Sequence, residues 1–413
     1  MRSLYLFIFS VSNLLFIVLI QLITLIKIGP SSDTDALFAG MTIPSVILSV
    51  LVSSLTNVLV PLFVSSKCVL KDLWEQVYLF SIGSAFIVLP LALFSPLWLG
   101  YVFSGFDGKT LSLAQHIISV QFIVIPFSIA SAIFTAFFNA NSKFISAEAI
   151  PAICSLIVFP FVFPAITSYG VLAVSYIYAA KIFLTFVIQI LKIGGPVKLS
   201  FNDIDIKGSF SRIKYLILGS VYYKSGPIID RHILSYSVAG ALSLFVLVQQ
   251  LLSMANLIFT KTIIIPDITM MNKLAVRENK IFKYWLMKKV FILIALTLFL
   301  YFLFFISGKQ IITFVLQMVN LQKFDPHTIW WLTMALFGGF IGDFIATLVS
   351  SSFYSKGDTK TPSCLSIVTF TIFIPFKFIS YHYAGIYGLA FASSAYSLIN
   401  MSAMFLIIIL RLK

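Results

Sequence analysis

The feature that most limits what this chain can fold into is its series of long apolar stretches. A hydrocarbon core about 30 Å thick needs roughly 20 apolar residues per helix. Twelve stretches meet that length: 4–28, 36–64, 77–98, 112–138, 145–166, 169–191, 213–234, 239–265, 285–306, 328–353, 361–380 and 385–410. Alternation of period two, the mark of a membrane barrel, is absent, so the spans are expected to be helices. Composition agrees. Only 10% of the 413 residues are charged, against roughly 25% in soluble domains. A net charge of +14 therefore speaks to membrane topology, and cytosolic enzymes, disulfide scaffolds and nucleic-acid-binding domains are excluded. Cys68, Cys154 and Cys364 stand far apart, in no redox or metal spacing. His116, His232, His327 and His382 form no metal spacing either.

The loops set the orientation. With the N-terminus inside, 19 Lys and Arg residues fall in cytoplasmic segments, while Lys27, Lys109, Lys309, Lys323 and Lys377 fall outside. That asymmetry predicts an inner-membrane protein with both ends cytoplasmic. The first span runs longer than a signal-peptide core and has no small-residue cleavage site before Gly29, so it is expected to remain as an anchor. The longest loops, 192–212, 266–284 and 307–327, hold about 20 residues each, too few for an independent core. Function must then reside in the helices.

The Gly194-Gly195-Pro196 stretch divides the chain into two six-helix bundles, 1–200 and 201–413. The halves repeat weakly. Asp35-Ala36-Leu37 leading to Pro61 parallels Gly240-Ala241-Leu242 leading to Pro266, at a constant offset of 205. Six is even, so the repeat is parallel and its pseudo-two-fold axis lies along the membrane normal. Such halves suit alternating access.

Several turns then carry a resemblance. Gly29-Pro30-Ser31-Ser32-Asp33-Thr34-Asp35-Ala36-Leu37-Phe38 with Ile43-Pro44 resembles the signature joining helices 1 and 2 of the lipid II flippase (MurJ/MviN-like) family. Asn139-Ala140-Asn141-Ser142-Lys143-Phe144 resembles that family's fourth-to-fifth helix turn. Ile229-Asp230-Arg231-His232, with Gly240-Ala241-Leu242-Ser243 and Pro266, resembles its helices 7 and 8. Phe353-Tyr354-Ser355-Lys356-Gly357-Asp358-Thr359-Lys360-Thr361-Pro362, the most specific of the four, resembles the turn before helix 11. The resemblance implies membership of the multidrug/oligosaccharidyl-lipid/polysaccharide exporter superfamily and a non-enzymatic, cofactor-free transporter. Family members are similar in having fourteen helices and cavity arginines in helices 1, 2 and 8. Here there are twelve spans, no arginine in span 1 after Arg2, no basic residue in Pro44–Val50, and Gln250 at the place of the helix 8 arginine. These departures move the expected substrate from the peptidoglycan precursor toward a related O-antigen, capsule or exopolysaccharide unit.

Charges sunk in the spans name the candidate residues, because each costs at least ~2.5 kcal/mol on insertion scales. Lys181, Lys224 and Lys261 are candidates to hold a diphosphate as reversible point charges. Arg231 could guide the headgroup out or be tied into local polar contacts, and Gln250 is a further substrate candidate. Asp343, expected to be buried beside Gly338, Gly339 and Gly342, is the candidate for coupling to protons or sodium, with an ion pair to an embedded lysine as the other reading. The expected function is flipping of a polyprenyl-diphosphate-linked oligosaccharide by alternating access, with that glycan, the bilayer and glycan polymerase machinery as partners and no nucleic acid. A multidrug cation antiporter would need a more acidic cavity, and a polysaccharide polymerase would need a large outer loop.

Overall fold

A computed structural model describes residues 2–65, 69–197, 221–275, 279–318 and 325–412. The chain divides into two compact units, Met1–Gly240 and Ala241–Lys413. The expected boundary at 200/201 falls in 198–220, outside the described residues. So do Cys68, residues 213–220 of the seventh span, and the counted cations Lys67, Lys198, Lys207, Arg212, Lys214, Arg277, Lys323 and Lys413.

The first unit contains α1 (Arg2–Ile28), α2 (Ser32–Ser65), α3 (Leu70–Leu93), the short α4 (Ser95–Val102), α5 (Gly108–Ala140), α6 (Phe144–Tyr169), α7 (Val171–Ile193) and α8 (Gly226–Leu234). The second contains α9, running from Ala241–Phe259 through a π-helical turn at Thr260–Ile264 into Ile265–Ala275, then α10 (Asn279–Met318), α11 (Pro326–Tyr354) and α12 (Lys360–Arg411). Ten helical stretches among the described residues are long and apolar enough to cross a membrane. One of them, α12, leaves helical geometry at Ala384 and Gly385, so it makes two crossings. The seventh span is described only from residue 221. The protein is an all-α, polytopic membrane protein.

Two expected loops are mostly helix. Residues 307–318 continue α10, and most of 266–284 belongs to the ends of α9 and α10. At 40 residues, α10 is about 60 Å long, twice the hydrocarbon thickness, so it must protrude or tilt. It exposes Phe291, Phe299, Phe302, Phe305 and Phe314, the surface expected of a helix turned to lipid. Inside the second unit the aromatic rings pack instead, with Phe337, Phe340 and Phe344 stacking along α11 against Phe259 of α9.

The turns that carried the resemblance are capping structures. Gly29 takes φ +84° and releases the chain into α2. Ser31 Oγ accepts from the Thr34 N–H at 3.4 Å, and Thr34 Oγ1 accepts from the Ser31 N–H at 2.9 Å. This reciprocal pair satisfies donors that a helix start leaves orphaned. The Asp35 carboxylate accepts the Gly240 N–H at 2.7 Å. Those two residues are the repeat partners 205 apart. Gly240 has φ +89°, and a Cβ there would stand 2.7 Å from the Pro30 carbonyl carbon, which only glycine avoids. Before α12, Asp358 caps the helix through the Lys360 and Thr361 N–H groups at 3.1 and 3.0 Å and pairs with Arg411 from the far end of the same helix.

In the first unit α8 lies against α2. Its C-terminal end is held to the 102–107 stretch by His232 Nδ1 on the Val102 carbonyl at 2.7 Å, Ser104 with the Tyr236 hydroxyl at 2.5 Å, and the Gly105 N–H on Ser235 Oγ at 3.2 Å. Helices α5 and α7 are zipped by side-chain bonds from Gln121 to Ser175 and from Ser131 to Gln189. In apolar surroundings such bonds contribute on the order of 1 kcal/mol each.

Candidate functional site

Lys181 lies near the middle of α7 and is 8% exposed. Its ammonium donates to Asn13 Oδ1 of α1 at 2.6 Å and stands 4.7 Å over the Phe16 ring. Ser155 of α6 donates to the same Asn13 oxygen at 3.1 Å, so three helices converge on one amide. Tyr178, a turn earlier on α7, directs its hydroxyl toward the Ile17 carbonyl at 3.4 Å. No carboxylate among the described residues pairs with Lys181. An amide oxygen and an aromatic face stabilise a buried cation without cancelling its charge. A net positive centre therefore sits inside the first unit.

Lys224 is half-buried, in the helical turn before α8, and donates to the Ser49 carbonyl of α2 at 3.0 Å. Lys181 and Lys224 belong to the same unit, but one is held at α1 and the other at α2. Beside Lys224 along the same chain segment, Asp230 and Arg231 are both buried, at 4% and 7% exposure. Asp230 is the charge that acts on Arg231, yet the Arg231 Nε and Nη1 atoms are buried without a hydrogen-bond partner. That guanidinium retains donors able to receive an anion.

The remaining candidates belong to the second unit. Gln250 of α9 has a buried Oε1 without a partner. Lys261 is half-buried in the π-helical turn of α9, a distortion that recurs at functional sites. Asp343 of α11 departs from expectation: the residue is exposed, not buried. The neighbouring glycines do bring helices together. A Cβ on Gly342 would lie 2.5 Å from the Ser397 carbonyl carbon of α12, and one on Gly338 would lie 2.9 Å from Ser394 Cβ. That backbone approach sets Ser397 beside the Asp343 carboxylate, and Lys377 is the cation acting on the same group.

Lys377 corrects the charge count. Assigned to an outer segment from its place near the end of a span, it lies within α12 and is 4% exposed. Its sequence neighbours, Pro375-Phe376 and Phe378-Ile379, are as apolar as the span itself, a signal that the loop count overrode. Asn13 was missed for a different reason: a single amide in an apolar helix has no meaning until Lys181 is seen opposite it. Among the described residues no group of three or more His, Cys, Asp or Glu side chains could hold a metal ion.

Comparison with known proteins gives this arrangement a context. A solved structure of "Lipid II flippase MurJ, inward closed conformation" superposes with a TM-score of 0.79 at 19% identity, covering 98% of this chain and 90% of that one. A multidrug resistance MATE family transporter of the MOP superfamily, inward-facing, superposes at 0.77 with 13% identity, covering 98% and 94%. The Vibrio cholerae MATE transporter VcmN in its bent form gives 0.62 at 14% identity, covering 99% and 96%. At such identities these likenesses establish the fold alone. No curated protein matches in sequence. The profile described as lipid II flippase MurJ, however, matches residues 25–413. The chain belongs to the lipid II flippase MurJ family, whose members are membrane transporters and not enzymes.

Proposed function

We propose that this protein flips a polyprenyl-diphosphate-linked glycan across the cytoplasmic membrane by alternating access, with its diphosphate recognised by the embedded lysines. The observation that carries this reading is Lys181, an ammonium held by an amide and a phenyl ring with no carboxylate among the described residues to neutralise it. A chain that only needed stability would be better served by an apolar residue at that depth. Lys224 and Lys261 add positive charge, and Arg231 offers unpartnered guanidinium donors. Gln250, with its orphaned amide oxygen, is assigned to the glycan. Lysine holds phosphate without bidentate locking, which suits a ligand that must be released.

The sparse arginine content of the first two spans favours an O-antigen, capsule or exopolysaccharide unit over the peptidoglycan precursor. Asp343, exposed and flanked by Ser397 and Lys377, is proposed to couple transport to a proton or sodium gradient. Both chain ends are placed on the cytoplasmic side, and glycan polymerase machinery is the expected consumer of the product.

Lys181→Ala and Lys224→Ala should each abolish surface glycan assembly while the protein accumulates in the membrane at its normal level. Full assembly in both variants would remove the phosphate role. Expressing the wild type in cells depleted of their lipid II flippase separates the glycans, because rescue would assign the peptidoglycan precursor.

A further inference from the structure

The charged side chains are assigned to a diphosphate, and Gln250 alone does not make a site for a sugar. One feature of the first unit fits it. Along the first half of α5, Ser112, Gln115, His116, Ser119, Val120 and Ile123 line a groove of about 350 Å³. These positions follow the spacing of one helical face. The volume is within the range of about 300–1,000 Å³ found for small-molecule sites. Across the groove's edge, His116 Nε2 lies 3.0 Å from the Tyr176 hydroxyl of α7, with the two rings edge to face at 6.4 Å. Tyr176 is 50% exposed, so it borders the groove without closing it.

The chemistry of this face is unusual for its surroundings. The opposite face of α5 buries Ala114, Ile117, Ile118 and Gln121 in the core of the unit. An exposed surface meant for lipid looks like α10, a run of phenylalanine and isoleucine. The groove instead presents hydroxyl, amide and imidazole groups. Counting from Gly108 at 1.5 Å per residue, it runs from roughly 6 Å to roughly 22 Å into the helix. Its polar lining ends at Ser119, roughly 16 Å in, and so reaches hydrocarbon depth, where polar groups turned to lipid are strongly disfavoured. That placement calls for water or a polar ligand.

We infer that this groove is a carbohydrate subsite for the glycan portion of the transported lipid, an assignment that rests on the flippase reading above. Its lining contains donors and acceptors but no carboxylate, Lys or Arg. A neutral, polyhydroxylated ring matches that set. A diphosphate or phospholipid headgroup does not, since it would leave its charge uncompensated. The Gln115 amide both donates and accepts, as sugar hydroxyls and acetamido groups require. The half-exposed Tyr176 ring, set edge to face with His116, supplies a flat apolar surface on which a pyranose face can rest.

The test measures binding of two probes to the purified full-length protein in detergent: polyprenyl diphosphate alone, and the same lipid carrying N-acetylhexosamine. The wild type should prefer the glycosylated lipid. Gln115→Leu combined with His116→Ala should weaken that lipid by about tenfold, the loss expected for one or two hydrogen bonds, and leave the bare lipid unchanged. Equal weakening of both probes, or an unaltered preference, would overturn the subsite. Should the double variant fail to accumulate, Ser112→Ala with Ser119→Ala removes only hydroxyls and is read by the same criterion. A wild type that binds neither probe sinks the flippase reading itself, an outcome distinct from loss of preference.

Discussion

An ammonium on Lys181 and an amide on Asn13 show how much a single contact decides in an apolar setting. Neither residue is interpretable alone, because the pair is formed across helices 168 positions apart. The existence of an embedded cation could be read from the sequence; its partner could not, since nothing in one helix states which face of another it will meet. Gly240 makes the complementary point for the backbone. With φ +89° and Pro30 against the place a Cβ would occupy, Gly240→Ala should lower stability by about 1–3 kcal/mol. A drop in melting temperature in detergent, with Gly108→Ala as an unstrained control because nothing lies near its Cβ position, would show it. An unchanged melting temperature would mean that the turn accommodates a side chain.

Among the elements, the turn between α11 and α12 is where sequence and structure agree most directly. Gly357-Asp358-Thr359-Lys360-Thr361 reads as a helix start, and Asp358 does cap α12. The hydrogen bond from Thr361, the N–H groups of the first turn and the Arg411 guanidinium hold the Asp358 carboxyl down to about 2. A carboxyl depressed in the folded state stabilises above its ordinary range near 4 and loses that contribution as pH falls toward 2. Thermal stability should therefore be insensitive to this group between pH 7 and pH 5 and decline only below about pH 4. Asp358→Ala should cost about 1 kcal/mol at neutral pH and flatten the acid decline; a decline of the same size in the variant would dismiss this assignment. The element that sequence reading misjudged is α10. Ser307-Gly308-Lys309-Gln310 looks like a loop, yet helical hydrogen bonding continues to Met318. A four-residue polar break does not end a helix whose next turns are again apolar.

For the molecule as a whole, hydropathy makes the all-helical, many-span architecture legible because the bilayer permits so few alternatives. The placement of Lys377 was legible from its apolar neighbours within the 361–380 span, but a count of loop charges, which cannot distinguish a residue just outside a span from one within it, overrode that signal. Orientation can be checked with the native thiols. Cys364 is exposed near the start of α12, whereas Cys154 is buried. In a Cys68→Ser background, a membrane-impermeant maleimide should label Cys364 from the cytoplasmic face and fail to reach it in intact cells. Labelling of intact cells would reverse the proposed topology.

The contact between Arg411 and Asp358 joins residues 53 apart, at opposite ends of α12. It makes the final two crossings a loop that leaves one face of the bilayer and returns to it, fastened where it began. A cysteine bridge engineered at those positions would tether this hairpin covalently, and a fluorophore on either residue would report from the same aqueous compartment.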